Sequence, residues 1–228
     1  MIKIVLISGS LRHHSLNTMA IATIGRILAG SSEPVENRVL SIDDLPYYDQ
    51  DIDEEGCASD AVVLARDLVG SADAVIISTP SYNGLVPGVL KNALDWLSRP
   101  WGASALTGRT AAICSVSPGP RGAVDAQPGL RIVLQKAGAV LVDSAKLALG
   151  NAVDIPTRQG SFSEPETVAR LERFTRAVLD QVHRTASDEL DAVDVQAARA
   201  LTEMPSDAGS RNHNSGDGPR PLIHAADG

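Results

Sequence analysis

Cysteine is nearly absent from this chain. The 228 residues hold two, Cys57 and Cys114, spaced neither as a C-x-x-C pair nor as part of a metal-binding pattern. They read as free thiols of a reducing compartment. No stretch approaches the roughly 20 apolar residues of a membrane-spanning helix. Residues 1–8 lack the charged segment, apolar stretch and cleavage site of a secretion signal, so a cytoplasmic location is expected. An excess of basic charge is also missing. The formal net charge is −8, with −3 on the first 184 residues and −5 on the last 44, which carry 3 basic and 8 acidic side chains. The acidity is concentrated in the tail, and no basic stripe points to nucleic acid or a membrane surface as partner.

Several catalytic signatures are absent too. There is no G-x-x-x-x-G-K-[ST], which excludes a P-loop nucleotide hydrolase. No G-x-G-x-x-G follows the first apolar run, which argues against a dinucleotide Rossmann site. No G-x-S-x-G elbow is present. No cysteine lies in the first Gly/Ser loop, which removes a thiol-phosphatase nucleophile. His183, His213 and His224 lie far from any carboxylate–histidine grouping, so no metal site is expected.

What is present is an alternation of short apolar runs and amphipathic segments. At 43% hydrophobic and 21% charged residues, the composition suits one domain of about 150–200 residues plus extra sequence. Residues 2–8 are almost continuously apolar, as in a central parallel strand covered on both faces. Further strands are expected at 37–42, 73–79, 110–116 and 139–142. Helices are expected at 15–29, 59–70, from Pro87 onward, at 126–137, and after Ser163-Glu164-Pro165-Glu166, which has the S-x-x-E spacing of a capping box. Five strands alternating with helices predict a doubly wound, three-layered parallel α/β sheet of order 2-1-3-4-5. The domain is expected to cover 1–184, followed by an acidic extension over 185–228. Within the extension, 187–204 keeps a helical spacing, and disorder is expected beyond Pro205.

The chemistry is expected where three loops converge. Polar or Gly-rich loops follow strands one, three and four, at 9–18, 80–84 and 117–122. In that strand order they surround the crevice at the carboxyl ends of neighbouring strands. The first loop leads into a helix N-terminus, a ready anion site. Ser10, Ser15, Asn17 and Thr18 add neutral donors, and Arg12 adds a planar charged fork suited to phosphate. The other two loops offer backbone donors and one flat aromatic, Tyr82, suited to a planar ring. Each feature also has a plainer reading. Ser15 is equally a helix N-cap, Asn17 a solvent-facing helix residue, Pro80 and Gly84 turn residues, and Tyr82 a packed aromatic. Arg121 is a surface residue or the partner of an acid. His13 and His14 are exposed loop residues or contacts to a second substrate. With no protein nucleophile in evidence, the combination points to a phosphate-anchored planar cofactor that itself carries the chemistry.

The residues resemble the NAD(P)H-dependent FMN reductases, a flavodoxin-like family that includes quinone, azo-dye and chromate reductases. Gly9-Ser10-Leu11-Arg12-x-x-Ser15-x-Asn17 looks like the family's FMN-phosphate loop. Pro80-x-Tyr82-Asn83-Gly84-x-x-Pro87-Gly88-x-Leu90-Lys91-Asn92-x-x-Asp95-Trp96 looks like its segment on the flavin ring. Ser117-Pro118-Gly119 resembles the third flavin loop, and Leu45-Pro46-x-Tyr48-Asp49 a loop near the subunit interface. The sequence departs from the family pattern at Ser81, where Glu is usual, and at Gly122-Ala123, where Gly-Gly is common. The resemblance implies that Ser10, Arg12, Ser15, Asn17 and Thr18 bind the FMN phosphate. It implies that Pro80, Tyr82, Asn83 and Gly84 hold the ring, with Ser117 and Gly119 on its other edge, and that no side chain acts as catalytic acid or base. NADPH or NADH is then the co-substrate. A free flavin, quinone, azo compound or metal oxyanion is the acceptor, and the protein is a homodimer or homotetramer. An electron carrier or redox sensor without its own NAD(P)H turnover remains the alternative, as does a flavin-free scaffold.

Overall fold

The computed structural model describes residues 1–53 and 58–202, with side chains placed through Asp188. Cys57 and the segment beyond Pro205 lie outside the described residues. A compact unit spans Met1–Asp188, and its centre is a parallel sheet. The strands β1 (Ile2–Ser8), β2 (Val35–Leu40), β3 (Ala74–Thr79), β4 (Thr110–Val116) and β5 (Val140–Leu141) lie in the order β2-β1-β3-β4-β5. This is the expected doubly wound arrangement.

The helices α1 (Leu16–Ala29), α2 (Asp60–Gly70), α3 (Gly88–Leu97), α4 (Ala126–Lys136) and α5 (Pro165–Thr202) cover both faces of the sheet. Alternation along the strands assigns side chains to the two faces. Val5, Ile7, Val75, Ile77, Ala111 and Ile113 pack with α2, α3 and α4 residues such as Val62, Leu94 and Leu130. Ile4, Leu6, Ala74, Ile76, Ala112 and Cys114 face Ile21 and Ile24 of α1 and Leu171 and Phe174 of α5. β3 and β4 are buried at every position, so they read as unbroken apolar runs rather than alternating ones.

Five details differ from the sequence expectation. The second strand lies two residues earlier, at Val35–Leu40. The fifth strand is divided. β5 is only Val140–Leu141, and a further strand β6 (Leu147–Leu149) rejoins β4, also in parallel. The interruption falls where Asp143 turns out to pair with Arg131 and Lys146 N–H folds back on the Ser144 carbonyl. The Ser163–Glu166 capping box is replaced by a cap one residue later. The Glu164 carbonyl accepts from Val168 N–H, and its carboxylate accepts from the Thr167 hydroxyl at 2.5 Å. Pro165, with no N–H to satisfy, takes the first helical position, which moves the start past Ser163. Finally, α5 runs on without a break to Thr202 instead of yielding to a separate helix at 187. The short hairpin β7 (Thr157–Arg158) with β8 (Ser161–Phe162) was not expected. It turns on Gln159 and Gly160, both at positive φ, and docks through Phe162 N–H on the Thr23 hydroxyl.

Among the buried groups, Cys114 on β4 has the largest perturbation. Complete burial pushes its thiol up from 9.0 to about 12, with a hydrogen bond to Ser78 acting the other way. A thiol that ionises more readily unfolded than folded contributes stability that is complete below pH 9 and is lost as the pH climbs toward 12. Urea unfolding at about pH 8 and pH 10.5 is expected to show a steeper alkaline loss for the native chain than for Cys114→Ala. Equal losses in the two proteins would refute a buried neutral thiol.

Candidate functional site

The site is built at the carboxyl ends of β1, β3 and β4. These strands are in register there, with Ser8 beside Ser78 and Ser78 beside Cys114. The chain leaving β1 must pass very close to β3. Gly9 N–H donates to the Ser78 carbonyl at 2.8 Å. A Cβ on Gly9 would lie 2.9 Å from Leu90 Cδ2 and 3.2 Å from that same carbonyl, so only glycine fits without displacement.

The first loop then enters α1. Ser15 is its N-cap, its hydroxyl accepting from Thr18 N–H at 3.3 Å. The first turn of α1 carries no acidic residue. The Ser10 hydroxyl accepts from Arg12 N–H, and the Ser8 and Thr18 hydroxyls meet at 2.9 Å. Among the described residues, the amides of His13, His14, Leu16 and Asn17 donate to no protein acceptor. Arg12 is exposed and forms no ion pair there. The loop therefore presents unpaired donors, one free guanidinium and a helix N-terminus with no competing carboxylate. Those are the features an anionic phosphate requires, so the FMN phosphate fits the residues present.

Asn17 sits in this loop but does something else with its side chain. It is buried, its amide nitrogen donates to the Val116 carbonyl at 3.1 Å, and its oxygen accepts from the Ser78 hydroxyl at 2.8 Å. It ties the start of α1 to the ends of β4 and β3 and is not a solvent-facing residue.

The second loop is a two-residue hairpin. Asn83 and Gly84 have φ of 53° and 84°, and Tyr82 and Leu85 exchange both backbone hydrogen bonds across the turn. This is the arrangement Asn-Gly favours, since both central residues need positive φ. Pro80 is buried at the base, while Tyr82, Asn83 and Gly84 are exposed at the tip. The rest of the motif leads elsewhere. Asn92 and the Trp96 indole N–H both donate to the Pro46 carbonyl at 2.8 Å, and Asn92 Oδ1 accepts from Tyr48 N–H. Tyr48 meets Trp96 edge-on at 4.9 Å. This half of the motif holds the 45–48 loop on α3.

The third loop is packed onto the end of β6. Ser117 N–H donates to the Leu149 carbonyl, and Asn151 N–H to the Gly119 carbonyl. Gly122, at φ 61°, lies where a Cβ would meet the Leu149 amide nitrogen at 2.7 Å. Ala123 follows at φ 59°, a left-handed conformation that costs a non-glycine residue of the order of 1 kcal/mol. Ser115, Gln127 and Leu147 brace the loop from below. The Ser115 hydroxyl donates to the Gly122 carbonyl, while Gln127 Nε2 donates to the Ser115 hydroxyl and the Leu147 carbonyl. Ser117 is half-buried and its hydroxyl donates to the Gly119 carbonyl. Gly119 is exposed.

The three loops thus stand side by side, as the strand order requires. Ser78 and Gln127, which help hold them there, carried no signal in the sequence, because their partners are distant in the chain; Gly9 stood in the first motif, but its contact with β3 did not show there. Of the open alternatives, Arg121 pairs with Asp125, and His13 and His14 are exposed. His183 is not remote from carboxylates. Its Nε2 lies 2.9 Å from Glu33.

Known proteins are similar to this chain. A family described as NADPH-dependent FMN reductase matches residues 2–154. A quinone reductase of Pseudomonas putida is 33% identical over 174 residues, covering 75% of this chain and 91% of the relative. A 2-hydroxy-1,4-benzoquinone reductase of a Burkholderia species is 35% identical over 176 residues, covering 76% and 92%. Among solved structures, the flavoenzyme NAD(P)H:(acceptor) oxidoreductase FerB from Paracoccus denitrificans superimposes with a TM-score of 0.74 at 30% identity, covering 81% of this chain and 99% of that one. With the fold, the three converging loops and these matches in agreement, the chain belongs to the NADPH-dependent FMN reductase family and is a flavodoxin-like, FMN-dependent oxidoreductase.

Proposed function

We propose that the three loops form one FMN site and that the enzyme passes electrons from NAD(P)H to a small acceptor, a quinone before other candidates. The observation that carries this reading is the acid-free N-terminus of α1, with the unpaired amides of His13, His14, Leu16 and Asn17 and the free Arg12 beside it. The names of the relatives above support a quinone as acceptor; free flavin, azo compounds and metal oxyanions need the same access and no other residue.

When bound, FMN supplies the redox chemistry, accepting a hydride from the reduced pyridine nucleotide and delivering electrons to the acceptor. The chain's own residues bind and orient. Ser10, Ser15 and the loop amides hold the phosphate, with Arg12 balancing its charge. Thr18 joins through its hydroxyl. Asn17 acts by position, fixing where the helix N-terminus points. Pro80 stiffens the base of the second loop, while Tyr82, Asn83 and Gly84 border the ring. On the opposite edge, Gly119 offers backbone. Ser117 contributes through the shape of its loop, since its N–H is already donated to Leu149. Amides near the ring favour negative charge on it without any side-chain acid. The exposed tip of the second loop would leave room for the two substrates to bind in turn, which predicts ping-pong kinetics. Residues 1–184 carry this site. A cytoplasmic, homodimeric or homotetrameric protein completes the reading; light scattering of the full chain measures the latter.

Three measurements test it. Purified protein is expected to be yellow, and rapid mixing with NADPH or NADH is expected to bleach the flavin band; a yellow protein bleached by neither nucleotide is no reductase. Arg12→Ala is expected to weaken FMN by about 10- to 100-fold, a charge-assisted contact of roughly 1.5–3 kcal/mol. Riboflavin, which has no phosphate, should change by less than about threefold on the same scale. Equal losses would sink the anchor role. Asn17→Ala should behave differently, lowering folding stability by about 1–3 kcal/mol and weakening both flavins alike. Unchanged urea unfolding would show that the clamp is dispensable.

A further inference from the structure

A second cluster of unpaired cations lies outside the flavin loops. The link between β5 and β6 and the first turns of α5 enclose a hollow of about 290 Å³. Its floor is the buried Phe174 and Leu147, and its rim is Ser144, Lys146, Arg170 and Arg173. Every ionisable side chain lining it is a cation. Arg170 is fixed, because its Nη2 donates to the Ala148 carbonyl at 2.8 Å, which uses one of five donors and sets the plane of the guanidinium. Arg173 follows three residues later on the same helix face.

Asp143, Glu164 and Glu172 are engaged or directed elsewhere. Asp143, the neighbour of Ser144, is taken by Arg131. Glu164 accepts from Thr167. Glu172 lines the separate cleft between α1 and α5. Among the described residues, none of Lys146, Arg170 and Arg173 forms an ion pair. Three like charges around one small hollow repel each other, and a bound anion relieves that repulsion.

We propose that this hollow is an anion site for a phosphate- or pyrophosphate-bearing small molecule, distinct from the Gly9–Thr18 loop. Fixed guanidinium forks match phosphate oxygens. The concave shape and small volume suit a compact polyanion better than the flat face of a macromolecule. The site stands behind the third loop, since Ala148 precedes the Leu149 backbone against which Gly122 packs. Such a phosphate belongs either to a free effector or to the pyridine nucleotide itself.

Titration calorimetry of the full chain with inorganic pyrophosphate, at about 20 mM salt to limit screening, is the test. Saturable binding is expected in the native protein and in Arg12→Ala, which disables the other phosphate loop. The double variant Lys146→Glu with Arg173→Glu changes two exposed side chains and should lose roughly 100-fold in affinity with an unchanged circular dichroism spectrum. No saturable heat overturns the proposal. So does binding that Arg12→Ala abolishes, or binding that the double variant leaves intact. These outcomes do not depend on FMN binding, so they separate from a failure of the flavin reading. Steady-state kinetics then identify the source. A selective rise in KM for NADPH over NADH in the double variant assigns the site to the nucleotide's extra phosphate. Unchanged KM values beside lost pyrophosphate binding assign it to a free effector.

Discussion

The carboxamide of Asn17 is the tie on which the site depends. A parallel sheet leaves carbonyl and hydroxyl groups at the carboxyl ends of its strands, and buried ones must find partners. Asn17 satisfies two of them at once, the Val116 carbonyl at the end of β4 and the Ser78 hydroxyl near the end of β3. It sits in the first turn of α1, so the same bonds that complete the sheet edge also aim the helix N-terminus. Gly9 permits this by letting the loop lie against β3, and Ser15 caps the helix once it is placed. The direction of the positive helix end is therefore set by buried hydrogen bonds and not by an exposed loop.

The other two loops are closed on themselves before any ligand arrives. Tyr82 and Leu85 pair across the Asn83-Gly84 turn, and the 117–122 segment is held by Leu149, Asn151 and Gln127. Donors fixed in this way lose little freedom on binding, which is how a site gains affinity without added contacts. The second loop is still open at its tip. An enzyme whose cofactor performs the chemistry needs that combination of rigid placement and free approach.

Much of this was legible because it is local. The burial of β1, β3 and β4 on both faces shows as uninterrupted apolar runs, and Asn83-Gly84 announces its own turn geometry. Pro87 and Pro165 mark helix starts because they lack an N–H. What depends on partners far along the chain was not legible. Asn17 meets Ser78 and Val116, 61 and 99 positions away, and in a one-dimensional reading it was one donor among several. Asn92 and Trp96 looked like part of a ring-binding motif because they follow it in sequence, yet they face Pro46 and Tyr48. The split of the fifth strand was hidden for the same reason, since Asp143 leaves the strand to meet Arg131 on α4. The cap of α5 shows a local rule overridden locally, where Pro165 displaced a well-formed S-x-x-E pattern by one residue.

Charge placement follows a similar logic. The chain carries −8 overall, and the reduced pyridine nucleotide that serves its family is itself a polyanion. Long-range attraction between them is unavailable, and at physiological salt fields fade over about 8 Å in any case. Recognition must then come from cations at close range that no carboxylate has already neutralised. Several arginines are spent on acids in structural roles, Arg66 with Asp53 beneath Trp96 being the most enclosed. Among the described cations without an ion pair are Arg12 at the mouth of α1 and the group around Arg170 behind the third loop. Arg12 stands at the carboxyl ends of the strands, and the Arg170 group lies along the outer edge of the sheet beside β6. A protein with a nearly balanced body can thus be selective for phosphate by leaving a few cations unpaired at chosen positions, without becoming basic as a whole.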